Sequence, residues 1–295
     1  SRFVLMNLEG KDVTEPEIGS LCAEDKWILS RLNNVIKEVT DNMEKYELGI
    51  AVQKIYDFLW DELCDWYIEI AKVRLWKAEE DPKAANEALW TLRTALTQGL
   101  KLLHPFMPFI SEFLYQELSD TTLEETESIM VKRYPHDLKR DIAIEQTFEL
   151  VIEAIVGIRR AKANIDLGNK KIEHAYIKVS NSESLKDAIK YISLLAKVEK
   201  IDFTETKIAN SATDVGDNIE VFIPLDGVDL GPIIERLNNQ KVKLEKEIMK
   251  LSGMLSNERF VANAPKEVIA ENQKGLDDAK SKMAKIEAEL NSLGV

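Results

Sequence analysis

Two cysteines, three histidines and no glycine-rich loop leave this 295-residue chain poor in the residues around which catalytic and metal sites are built. Cys22 and Cys64 are too few for a disulfide framework or a thiolate zinc site, and they suit a reducing cytoplasm. His104, His136 and His174 stand in unrelated contexts, none at metal-ligand spacing. There is no Walker loop, no GxGxxG and no GxSxG. The sequence therefore offers no catalytic residue, no metal ligand and no cofactor site. No apolar run approaches the roughly 20 residues needed to cross a bilayer, and residues 1–30 do not read as a signal peptide, so no membrane partner is expected. Positive charge is also scarce: 39 Lys and Arg against 52 Asp and Glu give −13. That balance argues against a broad phosphate-binding surface.

What the chain does hold is core-forming material, 45 % hydrophobic, with 31 % charged residues to keep it in solution. The charge is uneven. Residues 1–140 carry 17 basic and 26 acidic side chains, whereas residues 231–295 carry 11 and 10. The acidic pairs Asp61/Asp65 and Glu62/Glu69 fall on helical faces and read as solvated or capping residues. The chain opens on SRFVLMNLEG, which reads as a cut through a longer polypeptide.

Residues 20–164 read as helix nearly throughout. Leu21, Ile28, Leu32, Val35, Ile36 and Val39 recur at helical spacing, with Ser20 placed to cap the first turn. A second helix spans about Leu48 to Lys77 and is heavily aromatic, with Trp60, Trp66 and Tyr67 read as core. Asp81-Pro82 starts a third, Pro being tolerated where its missing amide costs nothing. His104-Pro105 ends it, FMPFISEFLYQEL forms a fourth, and Asp141 to about Asn164 a fifth. Together they make a bundle.

The pattern changes at Gly168. AYIKVS, KIDFTE and NIEVFIPL alternate like strands around an amphipathic helix, SESLKDAIKYISLLAKV. From Leu230 to Leu255, and again from Ile269 to Leu293, apolar residues step by fours and threes, broken only by Lys241 and Asn272. The expected fold class is mainly α: a helical bundle over 1–166, a small α+β element over 167–228, and an antiparallel coiled-coil hairpin over 229–295 that projects as an arm.

DKWILSRLNNVIKEV, YDFLWDELCDWYIEIAK, LLHPFMPFISEFLYQEL and SIMVKRYP resemble, in that order, the anticodon-binding bundle of the class I synthetases for valine, isoleucine and leucine. LSNERFVANAPKEVIAENQKGLDDAKSKMAKIEAEL resembles the terminal coiled coil of the valyl-tRNA synthetases; the isoleucine enzymes often end instead in a cysteine-rich zinc module. The resemblance covers essentially the whole chain. It implies that the HIGH and KMSKS motifs, the nucleotide fold and the editing domain would precede Ser1. ATP and magnesium are thereby implied for the parent ligase and not for this chain. SKMAK (281–285) only imitates KMSKS, because Met283 lies on a helical seam.

The resemblance further implies tRNA as partner, the valine acceptor by expectation, bound by a monomer. Unpaired anticodon bases are read by stacking and by contacts to their edges. Lys26, Trp27, Arg31 and Asn34, on successive turns of one helix, and Arg2 with Phe3, combine rings with cations and polar groups. Trp27 reads first as a core residue. Arg159, Arg160 and Lys162 form the densest basic run, leading out of the fifth helix; it reads either as an RNA-facing patch or as a solvated helix end. On the arm, Lys241, Lys243, Lys246 and Lys250, with Arg259 and Lys266 near the tip, are candidates for backbone phosphate. One alternative is a coiled-coil adaptor that binds protein and no RNA, which the acidic balance favours and the ordered motifs oppose; the other is the equivalent region of an isoleucyl- or leucyl-tRNA synthetase.

Overall fold

A computed structural model describes residues 1–119, 127–136, 139–226, 231–256 and 266–292. The chain divides into two compact units, Ser1–Glu149 and Leu150–Val295.

The first unit is helical. Helix α1 (Arg2–Leu8) precedes α2 (Ala23–Glu44), α3 (Leu48–Asp57), a π-helical run (Phe58–Tyr67), α4 (Ile68–Trp76), α5 (Pro82–Leu103), α6 (Pro108–Ser119) and the start of α7 (Ile142–Asn164). The carboxylate of Asp81 accepts the Ala84 amide at 3.0 Å and Pro82 fills the first turn, as the sequence leads one to expect. The cap expected of Ser20 does not form. Cys22 occupies the cap position of α2, and the Ser20 hydroxyl instead donates to the Glu17 carbonyl at 2.8 Å. The six apolar residues expected to bury one face of α2 are all buried.

Helices α3 and α4 run on through the π segment without a break, and that segment changes which side chains face inward. Buried positions follow Ala51, Ile55, Phe58, Leu63, Tyr67 and Ala71. The five-residue step from Phe58 to Leu63 is the wider π turn, and it carries Trp60 out of the core. Trp60 is 57 % exposed and stacks on Tyr56, ring centroids 6.1 Å apart, so the core reading of Trp60 is corrected. Tyr67 stays in the core, where its hydroxyl donates to Asp25.

The second unit builds a four-stranded mixed sheet from β1 (Ile172–Val179), β2 (Val198–Phe203), β3 (Ser211–Val215) and β4 (Ile219–Pro224), in the order β2-β1-β4-β3. Strands β1 and β2 are parallel, linked by α8 (Ile189–Ala196); β4 runs antiparallel to both β1 and β3. Strand β3 is not among the strands that alternation predicts, since SATDV buries only Ala212 and has too few apolar residues to show a period. The part of α7 beyond Leu150 packs on this sheet. A Cβ at Gly157 would come 3.1 Å from Val221, which is why glycine stands there. Glu153 accepts the amides of Asn218 and Ile219 at 2.8 and 3.2 Å, tying α7 to the β3–β4 turn.

Helices α9 (Gly231–Leu255) and α10 (Lys266–Ser292) lie in the same unit. Leu237, Leu276, Ala279 and Leu290 are buried, and Lys241 pairs with Glu287 at 3.0 Å. No helix among the described residues is long and apolar enough to cross a membrane.

Candidate functional site

The cations and rings singled out on α2 have separate fates, because a helix turns each of them to a different neighbour. Trp27 is 2 % exposed and stacks on Phe148 at 4.9 Å, so its ring offers no face to a base. Asn34 is buried and donates to Glu38 at 3.1 Å. Arg31 donates through Nε and Nη2 to Glu62 at 2.9 and 2.7 Å, and through Nη1 to Glu145 at 3.3 Å. Those two carboxylates occupy the fork that base recognition would need, and they raise the Arg31 pKa despite burial. These three residues are structural, which corrects the expectation of a reading face made from them.

Lys26 alone of that group looks into open space. Its ammonium donates to the Gly19 carbonyl at 3.0 Å and borders a cleft of about 670 Å³ between α2, α5 and the segment leading into α7. Leu29, Asn33, Trp90, Thr94 and Gln98 line the cleft, with His136 and Lys139 at its rim. Trp90 is half-buried on α5, and the Asn33 side-chain amide donates to the Lys139 carbonyl at 3.3 Å. The cleft thus joins an apolar floor, one indole, amide and hydroxyl groups, two lysines and the carboxylate of Asp141. Such a mixture suits a flat, partly polar ring next to a phosphate. Trp90, His136 and Lys139 are not among the residues that the sequence singles out. The signal available is VKRYPHDLKR, which holds four basic residues in ten, in a connection and not on a helical face.

The segment entering α7 is fixed by Glu145. Burial works to raise this carboxyl, but hydrogen bonds from Arg140 and Ser30 and the charges of Arg140 and Arg31 hold it below its ordinary value. The Ser30 hydroxyl donates to it at 2.5 Å and Arg140 does so at 2.6 and 3.1 Å. A second buried knot secures the start of α2. Arg74 donates to Asp25 at 2.8 Å and to the Cys22 sulfur at 2.9 Å. Burial, then the charge of Asp25, pushes the Cys22 thiol far up, so it is no nucleophile.

The remaining candidates are dispersed. Arg2 is exposed, but the neighbouring Phe3 ring is half-buried with the Lys72 ammonium 5.6 Å from its centroid. In the second unit the Arg159 guanidinium donates to the Leu195 carbonyl at 2.9 Å, while Arg160 is exposed. Lys243, Lys246 and Lys250 are exposed along α9, and Lys241 is half-buried in its pair with Glu287. Arg259 lies outside the described residues, as does the side chain of Lys266. A larger cleft, about 810 Å³, opens at the end of the sheet, but Glu205, Asp217 and Glu220 line it and repel phosphate. Among the described residues no group of His, Cys, Asp and Glu is placed to hold a metal ion.

The model of the anticodon-binding domain of tRNA ligases matches residues 25–177, more than half of the chain, and the chain belongs to that family. A second model, the valyl tRNA synthetase tRNA binding arm, matches residues 229–294. Similar proteins include the valine–tRNA ligase of a Nitratiruptor species, 50 % identical over 91 % of this chain and 29 % of the relative. The valine–tRNA ligase of Wolinella succinogenes is 38 % identical over 99 % of this chain and 31 % of the relative, and that of Clostridium perfringens is 43 % identical over 92 % and 31 %. The chain thus spans less than a third of the length of these curated relatives.

Proposed function

We propose that this chain is the tRNA-recognition part of a valine–tRNA ligase, and that the α2–α5 cleft receives an unpaired anticodon base. The observation that carries this reading is the meeting of Lys26, Lys139 and Trp90 in one cleft within the segment matched to the anticodon-binding family. A base stacked against the indole would leave its edge to Asn33, Thr94 and Gln98, with the two ammonium groups facing the flanking phosphates. The bundle serves the anticodon stem-loop. Helices α9 and α10 form an antiparallel coiled-coil arm that holds the outer corner of the tRNA by backbone contacts. The organisation is threefold, a bundle, the sheet and the arm, acting as a monomer in the cytoplasm. The whole ligase would join valine to its tRNA using ATP and magnesium, through parts outside this chain.

The test is salt-titrated binding of a valine tRNA transcript and of one with an altered anticodon. The chain binds the first more tightly, with affinity falling steeply as salt rises. Lys26→Ala with Lys139→Ala, or Trp90→Ala alone, removes that preference. Absence of salt-dependent tRNA binding by the folded chain would favour a protein-binding adaptor instead.

A further inference from the structure

The entrance to α7 sets a carboxylate beside the α2–α5 cleft and holds it in place. Asp141 lines the cleft together with Asn33, and it caps α7: its Oδ1 accepts the Ile144 amide at 3.2 Å. Its own backbone amide donates to the Ser30 hydroxyl at 2.7 Å, and that hydroxyl donates in turn to Glu145. One oxygen of Asp141 is therefore committed to the helix and its backbone is tied to α2. Its Oδ2 is bonded to no described residue. The Asn33 amide is oriented too. Its Nδ2 donates to the Lys139 carbonyl at 3.3 Å, and since only the nitrogen can meet a carbonyl, this bond settles which end is the oxygen. Two acceptors at the cleft are thus positioned before any ligand arrives. Gln98 and Thr94, which also line it, can each offer a donor or an acceptor. The fixed groups decide.

We infer that Asp141, with Asn33, makes the cleft selective for a base that carries an exocyclic amino group, and that Asp141 is the residue that rejects uracil. The inference rests on the reading of the cleft as the seat of an unpaired anticodon base. An ionised carboxylate only accepts, so it bonds to the amino hydrogens of cytosine, adenine or guanine. Uracil has no amino group. Its one edge donor, N3–H, stands between two carbonyl oxygens, and these meet the acceptors of Asp141 and Asn33 with like partial charge. Discrimination by repelling the wrong partner needs a group that cannot turn away, which the cap on α7 provides. A charged acceptor also holds the right partner more strongly than a neutral amide does, so Asp141 carries more of the choice than Asn33.

The test is binding of the chain to valine tRNA transcripts that carry each of the four bases at each anticodon position, at one salt concentration. At the position seated in the cleft, uracil should bind about ten-fold more weakly than the best amino-bearing base, the difference made by one charge-assisted bond. Which base binds best separates cytosine from adenine and guanine. Asp141→Asn keeps an oxygen for the Ile144 amide and puts an NH2 donor in place of Oδ2, so it should abolish or reverse that ratio. Asp141→Ser keeps a capping oxygen, leaves nothing in place of Oδ2 and should bring the ratio close to one. Both variants should melt with the parent chain. Loss of a carboxylate strengthens the binding of every transcript, so the ratio and not the affinity is the readout. Uracil bound as well as the amino-bearing bases at every position overturns the inference. A ratio that neither variant moves overturns it as well; if Trp90→Ala nonetheless abolishes that ratio, the cleft still stands as the seat of the base. If no anticodon position affects binding to the parent chain, the reading of the cleft fails and this inference fails with it.

Discussion

The guanidinium of Arg31 lies in a two-pronged bond with the carboxylate of Glu62, at 2.7 and 2.9 Å, and this pair fixes α2 to the π-helical run. With Glu145 the pair forms a partly buried triad, so its members act through stability. Arg31→Ala leaves two carboxylates without their shared partner, and chain stability should fall by about 1.5–3 kcal/mol. Urea unfolding measures the loss. The affinity of the folded variant for tRNA should change little; a loss of anticodon preference with unchanged stability would return Arg31 to the reading face.

The carboxylates fix the acid limit of the fold. Glu145, Glu112 and Glu153 are each pushed up by burial and pulled below their ordinary value by hydrogen bonds from Arg140 and Ser30, from Ser128 and Gln116, and from Asn218. Their folded values are depressed, so the unfolded chain binds more protons. Stability is therefore fully present above the ordinary carboxylate range and is lost as pH falls through the depressed values. The melting temperature should be flat from neutral pH to about 5 and drop below about 4.5. Glu153→Gln should flatten that drop for the second unit and leave the first unit's unchanged.

Much of this architecture is legible in the sequence because it depends on period. The apolar repeat of α2, the Asp81-Pro82 start of α5 and the alternation of NIEVFIPL each specify their element locally. What is not legible depends on phase and on packing. A helical repeat says that α2 has a buried face but not that Trp27, Arg31 and Asn34 lie on it or at its edge. A π turn has no sequence signature, so a 3.6-residue period points Trp60 inward, and that period fails after Phe58. The cleft exists only because α5, His136, Lys139 and Asp141 close over α2, which brings Trp90 and His136 beside Lys26 from distant parts of the chain.

The same π run leads to a stability prediction. Trp60 and Tyr56 stack on each other in solvent, whereas Tyr67 and Phe58 are buried. Trp60→Ala should cost no more than about 0.5–1.5 kcal/mol, the worth of an exposed ring pair. Phe58→Ala should cost about 3–5 kcal/mol. Thermal melts of the two variants would show the gap; equal losses would place Trp60 in the core after all.

The arm should contribute binding energy of a kind different from the cleft's. Lys243, Lys246 and Lys250 are exposed on α9, and no aromatic side chain stands among them to stack on a base. Cations without rings contact phosphate and carry no sequence information. Neutralising the three together should weaken a valine tRNA and an altered-anticodon tRNA by the same factor. It should also flatten the dependence of log affinity on log salt by about 0.7–0.9 for each phosphate that no longer meets a lysine. Lys241 will behave differently, because its ammonium is engaged with Glu287 at 3.0 Å across α9 and α10. Lys241→Ala should lower the stability of the helix pair, read by circular dichroism of the arm's melt, and leave the salt slope almost unchanged. Replacing it by Leu should raise that stability, since a charge on an apolar seam costs stability. If Lys241→Ala lowers the salt slope as much as Lys243→Ala does, the seam lysine is itself a phosphate contact, and the separation between pairing and binding on this helix fails.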